Sequence, residues 1–143
     1  MSPAELAAWL LSLPVVLDGH GHPIPRSSEV SSAIAVVALE QSYIDARVMA
    51  ATLDVLAAHE GAYRLGSRGD RGRSCGTFQT ACWKTPMDGA ELAVRQARLA
   101  VAEWRRAVDR CPEHPVWAYA SGKCAASWVA RRYEQEIRAA VTP

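Results

Sequence analysis

Apolar residues along this chain recur at intervals of three and four over long stretches, the pattern of helices that bury one face. Pro3 to Leu13 reads as a short helix, with Ser2 as its cap and Pro3 in its first turn. The segment Asp18-Gly19-His20-Gly21-His22-Pro23-Ile24-Pro25 then breaks the pattern with turn-forming residues. Ser28 is placed to cap a second helix from about Glu29 to Gln41, and Ser42-Tyr43-Ile44-Asp45 has the S-x-x-D form of a capping box ahead of a third, from about Ala46 to Glu60. In that third helix Val48, Met49, Thr52, Leu53 and Leu56 keep helical spacing, which brings His59 and Glu60 near the buried stripe. From Gly61 to Thr85 the helical period disappears. Gly66, Gly69, Gly72 and Gly76 permit tight turns there, so a small hairpin or irregular lobe is expected. Helical spacing returns from about Asp88 to Arg110, with Val94, Ala97, Val101, Trp104 and Val108 on one face and Arg98, Arg105 and Asp109 opposite. Cys111-Pro112 stops that helix. A loop from Pro112 to Gly122 follows, then a last helix from about Lys123 to Val141 that turns Tyr133, Ile137 and Val141 inward. The expected fold class is mainly α: one domain over residues 1–143, with an N-terminal helix and turn (1–27), a core (28–143), and the Gly-rich lobe inserted between helices.

Composition changes this picture little. The chain has 143 residues and half of them are apolar, enough for a core without a metal. Sixteen basic residues against fifteen acidic ones give a net charge of +1, so bulk charge offers no support for nucleic-acid binding. Arg64, Arg68, Arg71 and Arg73 form one local basic segment, either a solvated loop or a surface attractive to an anionic polymer. The four cysteines lack the paired C-x-x-C spacing of common zinc sites. The simplest bridges are Cys75–Cys82 and Cys111–Cys124; two other connectivities and free buried thiols stay open, and bridges would imply an oxidising working environment. His20-x-His22 and Cys111-Pro112-Glu113-His114 suggest metal ligands, but neither has a further ligand at a recognised spacing, and no metal or cofactor is expected. The apolar run Leu6 to Leu17 is interrupted by Pro14 and is too short to span a bilayer.

The candidate chemistry rests on Glu60. A carboxyl at the end of a buried helix, facing a Gly-rich turn, resists ionisation because desolvation disfavours its charged form. That property suits a general acid that protonates a glycosidic oxygen. The simpler role for Glu60 is a helix-end ion pair with Arg64, one turn on. A hydrolase also needs a second carboxylate, near the first for retention or farther away for inversion. Asp70, in the Gly-rich lobe, is the best placed; Asp88 comes next but serves better as a cap of the following helix. Trp83 and Trp117 fall in expected loops, where flat rings can stack on sugars, whereas Trp9, Trp104 and Trp128 are expected in the core.

Three segments, Glu60-Gly61, Ser74-Cys75-Gly76-Thr77-Phe78-Gln79 and Ala118-Tyr119-Ala120-Ser121-Gly122, follow one another in an order that resembles the lysozyme-like superfamily. Within it the chain is most similar to domains of the soluble lytic transglycosylase type, over roughly residues 28–141. The resemblance implies a lysozyme-like fold that cuts the β-1,4 bond between N-acetylmuramic acid and N-acetylglucosamine in peptidoglycan, with Glu60 as the acid. Ser74, Gln79 and Tyr119 would shape the cleft: Ser74 touching substrate or Glu60, Gln79 bracing the lobe, and Tyr119 bonding the acid or a sugar. Either Asp70 makes the enzyme a hydrolase, or the substrate's own N-acetyl or 6-hydroxyl group completes a transglycosylation. Gly61 stands where the family's glutamate is usually followed by Ser, and the asparagines flanking the family's tyrosine are missing. Those departures motivate a second reading, a glycan-binding protein that kept the fold and lost the activity; chitin is an alternative substrate. The expected partner is the glycan strand, met by a monomer. Met1-Ser2-Pro3-Ala4-Glu5 lacks the basic start of a secretory signal, so access to the wall is expected through release at lysis or delivery in a virus particle.

Overall fold

The computed structural model describes all 143 residues, and the chain is mainly helical, with two small antiparallel sheets. Helix α1 (Pro3–Ser12) starts where Ser2 accepts a hydrogen bond from the Glu5 N–H, with Pro3 in the first turn. Its Leu6, Ala7 and Leu10 are buried. Strands β1 (Val16–Leu17) and β2 (Pro23–Ile24) form a hairpin. The Asp18 carboxylate closes its turn by accepting from the His22 and His20 N–H groups, and these bonds hold its pKa below the usual range. Helix α2 (Ser28–Leu39) is capped by Ser27, not by Ser28, which lies inside the first turn. Helix α3 (Ala46–Gly61) is likewise capped by Asp45, whose carboxylate accepts from the Arg47 and Val48 N–H groups; Ser42 takes no part. In both cases the residue directly before the first helical residue has the extended backbone that lets its oxygen fold over the next N–H groups.

Helix α3 differs from an amphipathic surface helix. Every residue from Met49 to Ala58 is buried, because α1, α2, α4 and α6 pack around it. A helix that is apolar all round belongs at the centre of the core. One hydrophobic cluster of 25 buried residues runs through all these helices and reaches Phe78 in the lobe.

The lobe is a three-stranded antiparallel sheet of β3 (Arg68–Gly69), β4 (Ser74–Cys75) and β5 (Thr80–Ala81), with a 3-10 turn over Asp70–Gly72. A disulfide between Cys75 and Cys82 ties its second hairpin. Helix α4 (Leu92–Arg110) begins four residues later than the apolar pattern suggested. Asp88 does not cap it; Glu91 precedes the helix in a left-handed conformation, and the Asp88 carbonyl accepts from the Arg95 guanidinium at 2.7 Å. The stretch expected as a loop after Cys111 contains a short helix, α5 (Pro115–Ser121), which a disulfide from Cys111 to Cys124 brackets. The last helix, α6 (Trp128–Val141), is capped by Ser127 and also starts later than expected. Trp128, expected in the core, is 73% exposed, with the Arg132 guanidinium over its ring. Trp104 is buried as the face of α4 required, and Trp9 is half-buried under Arg47. No helix is long and apolar enough to cross a membrane.

Candidate functional site

The last turn of α3 and the chain reversal after it set the position of Glu60. Ala62 takes a left-handed conformation, and the N–H groups of Ala62 and Tyr63 bond the carbonyls of Ala58 and Ala57. Paired bonds of this kind close a helix end, usually around glycine. Here two non-glycine residues, Ala62 and Tyr63, accept positive φ. The strain, roughly 1–2 kcal/mol per residue, is offset by anchoring Tyr63, whose buried hydroxyl donates to Asp54 at 3.0 Å. Asp54 is itself gripped by both arms of the Arg26 guanidinium at 3.0 Å, and Arg26 reaches on to the carbonyls of Leu13 and Pro14. This buried triad welds α3 to the N-terminal turn and fixes the exit path behind Glu60.

Gly61 is a matter of space. A Cβ on it would lie 2.4 Å from the Cα of Thr77, so only glycine lets the lobe rest on the helix end. Thr77 confirms the contact from the other side, its hydroxyl donating to the Ala57 carbonyl and its N–H to Gln96 Oε1, each at 3.0 Å. Gln96, buried on α4, then donates to the carbonyls of Leu65 and Pro86 at 2.9 Å. One amide thus satisfies three backbone groups from three parts of the lobe. The close approach explains why no side chain follows this glutamate.

Within that frame Glu60 is half-buried and makes no hydrogen bond or ion pair with protein; Arg64 does not reach it. Ser31 Oγ is the one fully enclosed side-chain polar atom without a partner, so the Glu60 oxygens, equally unpartnered, keep contact with solvent. Burial, and after it the negative charge of Asp70, pushes the Glu60 carboxyl up to about 7. Asp70 sits exposed in the 3-10 turn with φ +49°, and the Ser74 hydroxyl donates to its Oδ2 at 2.6 Å. Ser74 therefore orients Asp70 and makes no bond to Glu60. Tyr119 lies on α5, not in a loop, and its hydroxyl donates to the Phe78 carbonyl at 3.0 Å instead of to the acid. Burial raises the Tyr119 pKa, and the nearby charges of Glu60 and Glu103 raise it further. Tyr133 is raised by burial and then by Glu60 and Glu136. Its ring stacks on His59 at 4.8 Å, and His59 is bound through Nε2 to Glu136 Oε2 at 2.5 Å. Glu60 is thus near enough to both phenols to raise their pKa values, while burial and Asp70 favour its own protonated form.

Gln79 donates to the Gly76 carbonyl at 2.8 Å and shares with Tyr119 a cavity of about 250 Å³ beside the site, which Glu60 does not line. The two expected sugar platforms differ in their surroundings. Trp117 is on α5, stacked on His114 at 3.7 Å, and its indole N–H donates to Glu134 on α6, so it is a packing residue. Trp83 is 85% exposed and lines a separate shallow depression with Lys84. No cluster of three or more His, Cys, Asp or Glu side chains is close enough to hold a metal; the His20 and His22 rings are 6.3 Å apart on the exposed hairpin.

The residues that sequence reasoning passed over are Asp54, Arg26, Tyr63 and Gln96; Tyr133 was expected to face inward but not to stack beside the site. Two signals were present. Asp54 is a lone charge inside an unbroken apolar run, and Gln96 is a lone amide on the face of α4 that carries Ala93, Ala97 and Ala100. Compared with family models, with curated proteins and with solved structures, the chain finds no match in any of the three.

Proposed function

We propose that the protein is a lysozyme-like glycosidase that cuts the β-1,4 bond between N-acetylmuramic acid and N-acetylglucosamine in peptidoglycan, with Glu60 as general acid. The observation that carries this reading is the carboxyl of Glu60: unpaired and half-buried at the helix end, where burial and then Asp70 push it up to about 7. An acid whose pKa lies near the working pH is protonated often enough to donate and gives up its proton readily in the transition state. The order of the three segments around Glu60, Ser74 and Tyr119 adds support from resemblance. Asp70, turned by Ser74, is the second carboxylate of a hydrolytic cycle, and its charge acts directly on Glu60. No cofactor enters this chemistry, which needs only proton transfer and distortion of the sugar ring.

A second reading, a glycan-binding protein without activity, draws on the departures from the resembled pattern: Gly61 after the glutamate, and Ala118 and Ala120 where asparagines flank the tyrosine. Turbidity clearing of purified cell walls separates the two. The wild type is expected to clear walls and Glu60→Gln to be at least ~100-fold slower, the scale of a lost general acid. Equal clearing by both would remove Glu60 from the mechanism, and clearing by neither would leave the binding role. Mass analysis of the products then distinguishes water-derived reducing ends, expected if Asp70 takes part, from anhydro-muramyl ends.

A further inference from the structure

The cavity beside Tyr119 is charged in one sense. Three cationic side chains, Lys84, Arg106 and Arg110, stand around it against a single carboxylate, Glu103. Glu103 pairs closely with Lys84 and only loosely with Arg106, at 3.9 Å. Arg106 is 73% exposed, and Arg110 spends one N–H on the Gly122 carbonyl at 3.0 Å. Each guanidinium offers five N–H donors in a planar fork that matches a carboxylate. The floor is made by Ala81, Ala107 and Ala118, whose small side chains leave the space open. Gln79, whose side-chain oxygen lies against Gly69 beside Asp70, and Tyr119, which feels the charge of Glu60, both line the cavity, so it adjoins the candidate site.

We propose that this cavity is a subsite for a carboxylate carried by the glycan, the free 3-O-lactyl group of N-acetylmuramic acid, read by Arg106 and Arg110. The proposal rests on the glycosidase reading for its substrate, but the pocket's own charge and volume define the ligand class. A neutral N-acetylglucosamine polymer would leave the two guanidinium groups without a partner. An acidic one gains charge-assisted hydrogen bonds in a partly desolvated groove, among the stronger polar contacts available. Lys84 is held in its ion pair and sets the local potential; Arg106, the least engaged of the three, makes the first contact.

The test compares one glycan in two forms: peptide-free alternating strands with their lactyl carboxylates free, and the same strands with those carboxylates converted to methyl amides. The acidic strands are expected to be cut with a kcat/KM roughly tenfold higher, most of it in KM, as for a lost charge-assisted contact. Arg106→Glu is expected to bring that ratio to about one and Arg106→Lys to restore part of it. Arg105→Glu makes the same charge change on the side of α4 that faces Tyr43, and is expected to leave the ratio as in the wild type. A wild-type ratio near one, or an equal fall with Arg105→Glu, would overturn the subsite while leaving the glycosidase reading intact. If the wild type cuts neither strand, that reading fails. The subsite is then judged by NMR titration of the arginine Nε–H signals with N-acetylmuramic acid against N-acetylglucosamine. Selective shifts of Arg106 and Arg110 support it, and identical responses to the two sugars refute it.

Discussion

At the scale of single residues, Glu60 and Gly61 show how one pair of positions answers to two constraints. The carboxyl has an ordinary value of 4.5 and is raised to about 7 in the fold, so the folded state holds the proton more tightly than the unfolded chain. Its contribution to stability is therefore complete below about pH 4.5 and is lost as the pH climbs through 7. Replacing it with an amide of the same shape removes the penalty. Glu60→Gln should match the wild type in stability at pH 4.5 and exceed it at pH 8 by on the order of 2 kcal/mol. Urea midpoints at the two pH values check this, and a constant difference would mean that the carboxyl is not perturbed. Catalysis should follow the same group, the rate of an acid-dependent step falling as the pH rises through about 7. At Gly61 the limit is steric. Gly61→Ser, which introduces the residue usual in the resembled motif, drives a Cβ into the Thr77 backbone and should cost about 2–3 kcal/mol in overpacking. A thermal midpoint equal to that of the wild type would show that the lobe can retreat from the helix at no cost.

At the scale of elements, the lobe is held by Phe78, which enters the main core, and by polar attachments. Gln96 is the main one, since its amide meets the Thr77 N–H and the carbonyls of Leu65 and Pro86 inside the protein. Gln96→Leu keeps most of the volume but orphans the buried Thr77 N–H and two half-buried carbonyls, and a group left unsatisfied away from water costs about 1–3 kcal/mol. The expected result is a destabilisation of about 2–4 kcal/mol together with faster hydrogen exchange across residues 65–80. Unchanged exchange in the lobe would mean that the Cys75–Cys82 bridge and Phe78 suffice to hold it. The same elements show where pattern reading reached its limit. Helical spacing identified α1, α2 and α3 closely and α4 except for its first four residues, because each has a continuous apolar face or core. It passed over α5, whose seven residues offer only two turns of pattern, and that miss misplaced Trp117 and Tyr119 in a loop. The caps at Ser27 and Asp45 were displaced from Ser28 and Ser42 because serines and an aspartate stand close together there, and only the backbone conformation selects among them.

At the scale of the whole molecule, the buried Arg26–Asp54 pair joins the N-terminal turn to the central helix, with side-chain exposures of 8% and 2%. Removing one partner strands the other charge in the core. Arg26→Met should cost about 3–5 kcal/mol, whereas the double replacement Arg26→Met with Asp54→Leu should recover much of it, since apolar pairs of similar volume often equal a buried ion pair. Denaturant unfolding of the three variants measures this, and a double variant no better than the single one would show that Tyr63 depends on Asp54 for its strained backbone. Loss of that anchor would also shift the turn behind Glu60, so activity should fall along with stability.

The sequence alone determined that the chain is mainly α and that a glycine-rich break follows the buried helix. It also marked Glu60, at the border between the two, as the residue of interest. These are local matters, decided by periodicity, by turn-forming residues and by the apolar character of one helix. Only the tertiary structure decided that Glu60 stands unpaired beside Asp70, that Ser74 bonds Asp70, and that Trp128 faces solvent. It also decided that Arg106 and Arg110 gather around the cavity next to Tyr119. Those facts depend on distances between side chains far apart along the chain. Such distances follow from how the helices pack around α3, and no local spacing encodes them.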